Sequence, residues 1–162
     1  MDKQSIIQLV IQTIEQEKES IQKSAASAKQ AALEAPGAMQ SHSDTTKFQM
    51  TALAGNFEQL ITQKESAIKT LQAYAKESAP ASETILIGSL IQTSNSQQEK
   101  TLFFILPEGN GVQFKHQKTI ITVITPRSPL SLALLNKKKN DHAIFESPTT
   151  HVKKEFLITE IW

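Results

Sequence analysis

Apolar residues recur at seven-residue spacing along the first third of the chain. Ile7, Ile14, Ile21, Ala28 and Ala35 form one register; Ile11, Lys18, Ala25 and Ala32 form the partner register. No Gly or Pro interrupts Lys3 to Glu34, so the spacing predicts one long helix with an a/d seam. The seam changes along its length. It is bulky near the start (Ile6, Ile7, Val10, Ile11, Ile14) and nearly all alanine later (Ala25, Ala26, Ala28, Ala31, Ala32). Alanine lets two helices approach closely and gives a thin rod. It is also the best helix former, so the rod alone does not specify a use.

Pro36 and Gly37 are the strongest break before residue 78. A second heptad pattern follows, with Met50, Phe57, Lys64 and Leu71 in one register and Leu53, Leu60, Ala67 and Tyr74 in the other. Asp44, with Thr45 and Thr46 after it, suits the N-cap of this second helix. Two such arms around one break predict an antiparallel hairpin whose tip carries Ser41 to Thr45. At 1.5 Å per residue, arms of about 32 residues give a rod on the order of 45–50 Å long. Gly55 lies inside the second arm, where it costs about 1 kcal/mol relative to Ala, and it leaves room for a close helix crossing.

The pattern changes after Ser78-Ala79-Pro80-Ala81-Ser82, a linker by composition. Ile85–Ile91, Thr101–Leu106 and Lys118–Thr125 read as strands, separated by turns at Ser94-Asn95-Ser96 and Pro107–Gly111. Ser128-Pro129 opens a short helix through Leu135, with Pro near the first helical position. The lysine-rich stretch Asn136–Asn140 ends it, and His142–Glu146 and Lys153–Ile161 read as closing strands. The expected fold class is α+β. A helical hairpin spans residues 1–77, a linker 78–84, and a small α+β domain 85–162.

Composition narrows the function. Hydrophobic residues make up 39 % of 162 residues and aromatics 6 %, which suits a long helical element beside a compact second unit. The net charge of +1 gives no global field for nucleic acid or anionic membrane, so contact with nucleic acid is expected to be indirect. Without cysteine, disulfides, thiol nucleophiles and cysteine-ligated zinc are excluded. The N-terminal stretch carries Asp2, Glu15 and Glu17 and lacks a small-residue cleavage site. No apolar run reaches the roughly 18 residues that span a bilayer. A cytoplasmic chain with no membrane contact, acting as a monomer, is the expectation. The bulky end of the first arm has two uses open to it: packing on Leu71 and Tyr74, or pairing with another copy.

The tip supplies the first candidate site: Met39, Ser41, His42, Asp44 and Thr45. Asp44 is a helix cap or, through its carboxylate, a weak metal ligand. His42 has no second histidine at ligand spacing, and neither Ser41 nor Ser43 has a His/Asp constellation to make it a nucleophile. Lys137-Lys138-Lys139 reads as a solvated loop before it reads as a nucleic-acid contact.

Ile121-Thr122-Val123-Ile124-Thr125-Pro126-Arg127-Ser128-Pro129-Leu130, continued by Ala133-Leu134-Leu135, Lys137-Lys138 and Asp141, resembles the C-terminal signature of the GreA/GreB transcription elongation factors. That signature is a valine/isoleucine strand, Ser-Pro-Leu/Ile, Ala-Leu-Leu-Gly-Lys-x-x-Gly-Asp, and a strand ending Phe-x-Ile-x-x-Ile. Glu155–Ile161 is similar to the last part. The order of hairpin, linker and α+β domain also matches. Asn136 and Asn140 stand where the family has glycines; asparagine is the commonest other residue at positive φ, so the turns survive. The resemblance implies an FKBP-like domain without isomerase activity of its own. It also implies RNA polymerase as partner, gripped through Arg127, Ser128, Pro129 and Leu130, with the tip reaching into the secondary channel. Cleavage-stimulating members carry an acidic pair, Asp-Leu-x-Glu-Asn, thought to hold magnesium at the polymerase active site. Here Gln40–Thr46 retains only Asp44. The chain itself is then no enzyme and has no cofactor beyond a magnesium shared with the polymerase.

Two functions follow from different classes. One is a Gre-type factor that modulates elongation or initiation, with transcript cleavage in doubt. The other is a coiled-coil adaptor or chaperone-like module unrelated to polymerase. An adaptor tolerates changes at Met39, Ser41 and Asp44 but not along the seam; a channel-inserting factor loses activity at the tip while its binding persists.

Overall fold

The structure is a computed structural model, and it describes residues 3–35, 45–76, 83–109, 111–116, 119–146 and 151–162. Two long helices come first, α1 (Lys3–Glu34) and α2 (Thr46–Lys76). Six strands and one short helix follow: β1 (Leu90–Ser94), β2 (Lys100–Ile105), β3 (Gln113–His116), β4 (Thr119–Ile124), α3 (Pro129–Leu134), β5 (His142–Glu146) and β6 (Lys153–Ile161). The chain divides into two compact units. One holds residues 12–69; the other holds residues 1–11 together with 70–162. Most of the linker, residues 78–84, lies outside the described residues.

In the unit of residues 12–69 the α1 seam follows its heptads: Ile14, Ala25, Ala28 and Ala32 are buried and Ile21 is half-buried. Ala26, counted with the alanine seam in the sequence, is exposed instead, because it lies one residue off the heptad positions. Antiparallel pairing is marked by two ion pairs, Lys64–Glu17 and Lys29–Glu58, each at 2.5 Å. Exposed pairs of this kind contribute at most about 1 kcal/mol, so they report register more than they supply stability. The second register of α2 departs from expectation. Leu53 and Leu60 are exposed, while Ala54 and Ile68 are buried and Ile61 is half-buried. The seam therefore runs 50, 54, 57, 61, 64, 68, 71. A 4-3 alternation and a 3-4 alternation both satisfy a heptad, and the partner helix chooses between them. Near its distal end that partner presents alanines, and the small Ala54 takes the seam position.

Gly55 does not mark a close crossing: no described atom lies within 4 Å of where its Cβ would be. Gly55→Ala should therefore stabilise the protein by about 0.5–1 kcal/mol through backbone entropy and helix propensity. A urea titration with an unchanged m-value and a higher midpoint is the expected result.

In the other unit, Ile6, Ile7, Val10, Ile11 and Leu71 are buried within the single chain. The bulky end of α1 is thus occupied internally and is not left for a second copy. Gln4 Nε2 donates to the Ala75 carbonyl at 3.3 Å, which places the start of α1 beside the end of α2.

The strands form one sheet in the order β3-β4-β2-β1-β6-β5. All neighbours are antiparallel except β2 and β4. One face carries Ile91, Phe103, Ile105, Ile124, Ala143 and Ile158, covered by Leu134 of α3 with Leu130 and Leu135 packed beside it. Phe156 meets Phe103 edge-to-face, with ring centroids 5.8 Å apart. The other face carries Leu90, Leu102, Phe104, Ile121 and Val123, all buried. The strand expected from Ile85 begins only at Leu90. Gly88 has φ +89° and turns the chain, with the Ser89 amide donating to the Leu86 carbonyl at 3.1 Å. β3 was not expected. Gln-Phe-Lys-His has one apolar residue and is short, so neither alternation nor β-branching marks it.

Candidate functional site

The described candidate site is the turn and helix that carry Arg127, Ser128, Pro129 and Leu130. β4 ends at Ile124, and the chain reverses over Thr125–Ser128, with the Ser128 amide donating to the Thr125 carbonyl at 2.9 Å. Ser128 is the N-cap of α3. Its backbone is extended (φ −70°, ψ 143°), and its Oγ accepts from the Ser131 amide at 3.2 Å. The Ser128 hydroxyl also lies 3.1 Å from Ser131 Oγ. Pro129 fills the first helical position, where its missing N–H has no partner to lose. Ser131 is fully buried, and its carbonyl accepts from the Leu135 amide at 2.8 Å.

This wiring sorts the four predicted residues into two roles. Leu130 is half-buried against the core, so it anchors the helix. Ser128 spends its hydroxyl on the cap. Arg127 and Pro129 are exposed. A fifth residue joins them: Leu132 is 64 % exposed, one turn into the helix. The sequence did not single it out. Its signal is present in Ser-Pro-Leu-Ser-Leu-Ala-Leu-Leu, where Leu130 and Leu134 share one face at i, i+4, and Leu132 falls on the opposite one.

The helix exit is held by local geometry. Asn136 and Asn140 both take positive φ, +63° and +72°, as expected for residues standing in place of glycines. The Asn136 amide donates to the Ile85 carbonyl at 2.9 Å, and the Ile85 amide donates to the Lys137 carbonyl at 2.8 Å. The Asp141 carboxylate accepts from the Lys138 amide at 2.7 Å. Asn140 and Asp141 together oppose Ile158: the Asn140 amide donates to the Ile158 carbonyl, and the Ile158 amide donates to the Asp141 carbonyl. That is a G1 bulge with asparagine in the usual glycine position. The lysine loop is therefore fixed at both ends. Lys139 pairs with Glu160 at 2.8 Å. These two, with Glu83, Lys138 and Ile161, line an open cleft of about 350 Å³. Its charges are of both signs, so it lacks the single-sign field that gathers phosphate.

Of the tip candidates, Met39, Ser41, His42 and Asp44 lie outside the described residues. Thr45 precedes α2, is exposed, and its carbonyl accepts from the Gln49 amide at 3.0 Å. Two apolar side chains not marked by the heptads are largely exposed: Leu33 in the last turn of α1 and Phe48 in the first turn of α2. Among the described residues no group of three His, Asp or Glu side chains is placed to hold a metal ion. None of the described helices is long and apolar enough to cross a membrane.

Among solved structures, the chain is similar to the GreA factor homolog 1 (Gfh1) protein of Thermus thermophilus, with 18 % identity, a TM-score of 0.39 and 94 % of each chain covered. It is similar to Gfh1 of Thermus aquaticus, with 20 % identity, a TM-score of 0.40, and 95 % of this chain and 92 % of that one covered. It is also similar to the prokaryotic transcription elongation factor GreA/GreB from Nitrosomonas europaea, with 16 % identity, a TM-score of 0.37, and 60 % of this chain and 78 % of that one covered. No protein-family model and no curated protein matches it.

Proposed function

We propose that this chain is a Gre-type factor that binds RNA polymerase. The start of α3 grips the polymerase, and the hairpin tip enters the secondary channel to modulate elongation or initiation. One observation carries the proposal. The Ser-Pro-Leu segment and the Asn136–Asp141 loop form a capped helix and a G1 bulge, with asparagines at positive φ where the family pattern has glycines. The order of the chain supports it: a long helical pair followed by a mixed sheet with one short helix.

The work divides by residue. Arg127, Pro129 and Leu132 supply an exposed apolar and cationic contact. Ser128 and Leu130 hold that contact in place. The tip residues Met39, Ser41, His42, Asp44 and Thr45 act by occupancy, flanked by Leu33 and Phe48. A single Asp44 carboxylate helps to position a magnesium only together with polymerase groups, so the chemistry of any cleavage belongs to the polymerase.

The test measures binding to core polymerase and RNA cleavage in stalled elongation complexes in the same samples. Leu132→Asp is expected to weaken binding at least tenfold, as for a central apolar contact worth 1.4 kcal/mol or more. Its thermal midpoint should stay at the wild-type value, because the side chain is exposed. Asp44→Ala is expected to bind like wild type. Cleavage by the wild type that vanishes in Asp44→Ala would make Asp44 a metal-positioning residue; binding without cleavage in either would leave regulation by occupancy. No binding by the wild type ends the polymerase proposal and leaves the adaptor.

A further inference from the structure

We infer that one side of the helical hairpin recognises itself, and that two copies of this chain pack these sides together about a two-fold axis running along the rod. This departs from the monomer expected from the sequence, and it does not depend on the polymerase reading.

The register of α1 on α2 defines the two sides. Lys64 meets Glu17 and Lys29 meets Glu58, each at 2.5 Å. The seam residues Ile21 and Ile61 are then level with each other, and so are Ala28 and Ala54. In a heptad, the positions next to the seam divide between its two flanks. Lys29 and Glu58 occupy one flank. Leu53 and Leu60, each one residue before a seam position, fall on the other. Across the seam from them, the same positions of α1 are Ala31 beside Leu53 and Ser24 beside Leu60.

This second flank is uncovered and carries no charge. Leu53 is 38 % exposed and Leu60 41 %, at seven-residue spacing, so the pairing of α1 with α2 leaves an apolar register of α2 half used. The outer positions beside them, Asn56 and Gln63, are exposed and neutral. Within Ser20–Ala31 and Gln49–Gln63 the charged residues are Lys23, Lys29 and Glu58. Lys23 falls on the back of α1, and the other two pair on the opposite flank. A solvated helix face ordinarily carries its charges beside the apolar stripe; here they are all elsewhere. Ser24 Oγ already donates to the Ser20 carbonyl at 3.2 Å, so covering this flank strands no hydroxyl at Ser24.

Shape selects the occupant. α1 lines its half of the flank with Ser20, Ser24, Ser27 and Ala31, all small. α2 raises Leu53 and Leu60 on the other half. One half is flat and the other is a ridge. A two-fold axis along the rod lays α2 of each copy over α1 of the other, so each ridge seats on a flat, twice and at the same level. An axis across the rod would set ridge on ridge and flat on flat. A neutral flank also places no like charges against its own copy, whereas a partner with a charged strip would bury those charges unpaired. At 1.5 Å per residue the flank is about 17 Å long, which puts the pairing in the weak, transient class.

Sedimentation of the wild type should show a mass rising toward twice the monomer as concentration reaches several hundred micromolar. Ser24→Glu puts a charge on the flat and should stay monomeric. Ala26→Glu puts the same charge on the opposite flank, where Ala26 is exposed, and should dimerise like wild type. Circular dichroism should show both variants folded. The chain has no cysteine, so introduced thiols report on the axis. Ser24→Cys mixed with Leu60→Cys should form a mixed disulfide dimer, resolved by mass, at least tenfold faster than either variant cross-links alone. A wild type that stays monomeric overturns the inference. So does a dimer that survives Ser24→Glu, a loss of the dimer in Ala26→Glu, or equal cross-linking in the three thiol samples.

Discussion

Phe104→Ala is expected to destabilise the protein by about 3–5 kcal/mol, the range for emptying a fully buried aromatic site. Phe104 is fully buried and sits opposite Leu90 on one side and Val123 on the other. The three form a row across the central strands β1, β2 and β4. Its neighbours in that row are short and held by the ladder, so they cannot collapse into the space. A domain of ordinary stability has only about 5–15 kcal/mol in all, so this change alone removes a large share of it. Phe104→Leu keeps most of the volume and should cost under about 1.5 kcal/mol. Urea unfolding of the three proteins checks the order; an alanine variant within 1 kcal/mol of wild type would mean that the row is not the core of the sheet.

Gly88→Ala is expected to cost about 2–4 kcal/mol, from two terms that add. The φ of +89° is unfavourable for any L side chain, by roughly 1–2 kcal/mol. A methyl built there would also overlap the Tyr74 hydroxyl, with Tyr74 Cζ only 3.1 Å away. The end of α2 meets the turn before β1 at this point. Tyr74→Phe removes the overlapping oxygen, so the double variant should be more stable than the sum of the two single changes predicts. A non-additivity of about 1 kcal/mol or more in a double-mutant cycle is the expected signature. Strict additivity would place the whole cost in the backbone.

The parts legible in the sequence share a cause. α1 and α2 are free of proline, and α1 is also free of glycine, so heptad spacing gave both helices nearly to the residue. α3, β5 and β6 were legible because Ser128-Pro129 and the Asn136–Asn140 run punctuate them. The misses have causes too. A heptad in one helix does not say which side the partner takes, so the spacing alone puts Leu53 and Leu60 where Ala54 and Ile61 belong. Ile85–Ser89 is apolar enough to look like a strand, yet the backbone at Gly88 is a turn. β3 exists because β4 offers it an edge, which four mostly polar residues cannot announce. At the candidate site, Arg127 and Pro129 were visible as part of a pattern. Leu132 was hidden among other leucines until the helix showed which of them face inward.

The position of β6 has a consequence for how the protein is made. Residues 12–69 form a unit continuous in sequence, so it is able to assemble while translation proceeds. The other unit is discontinuous: it needs residues 1–11 and residues 70–162 together. Its sheet places β6 between β1 and β5, so β1 keeps an open side until residues 153–161 have left the ribosome. Long-range pairing of this kind folds slowly, because a large loop must close before any contact rewards it. During that interval Leu90–Ser94 has β2 on one side and an open edge on the other, and the exposure of that edge to chaperones is set by the rate of elongation itself.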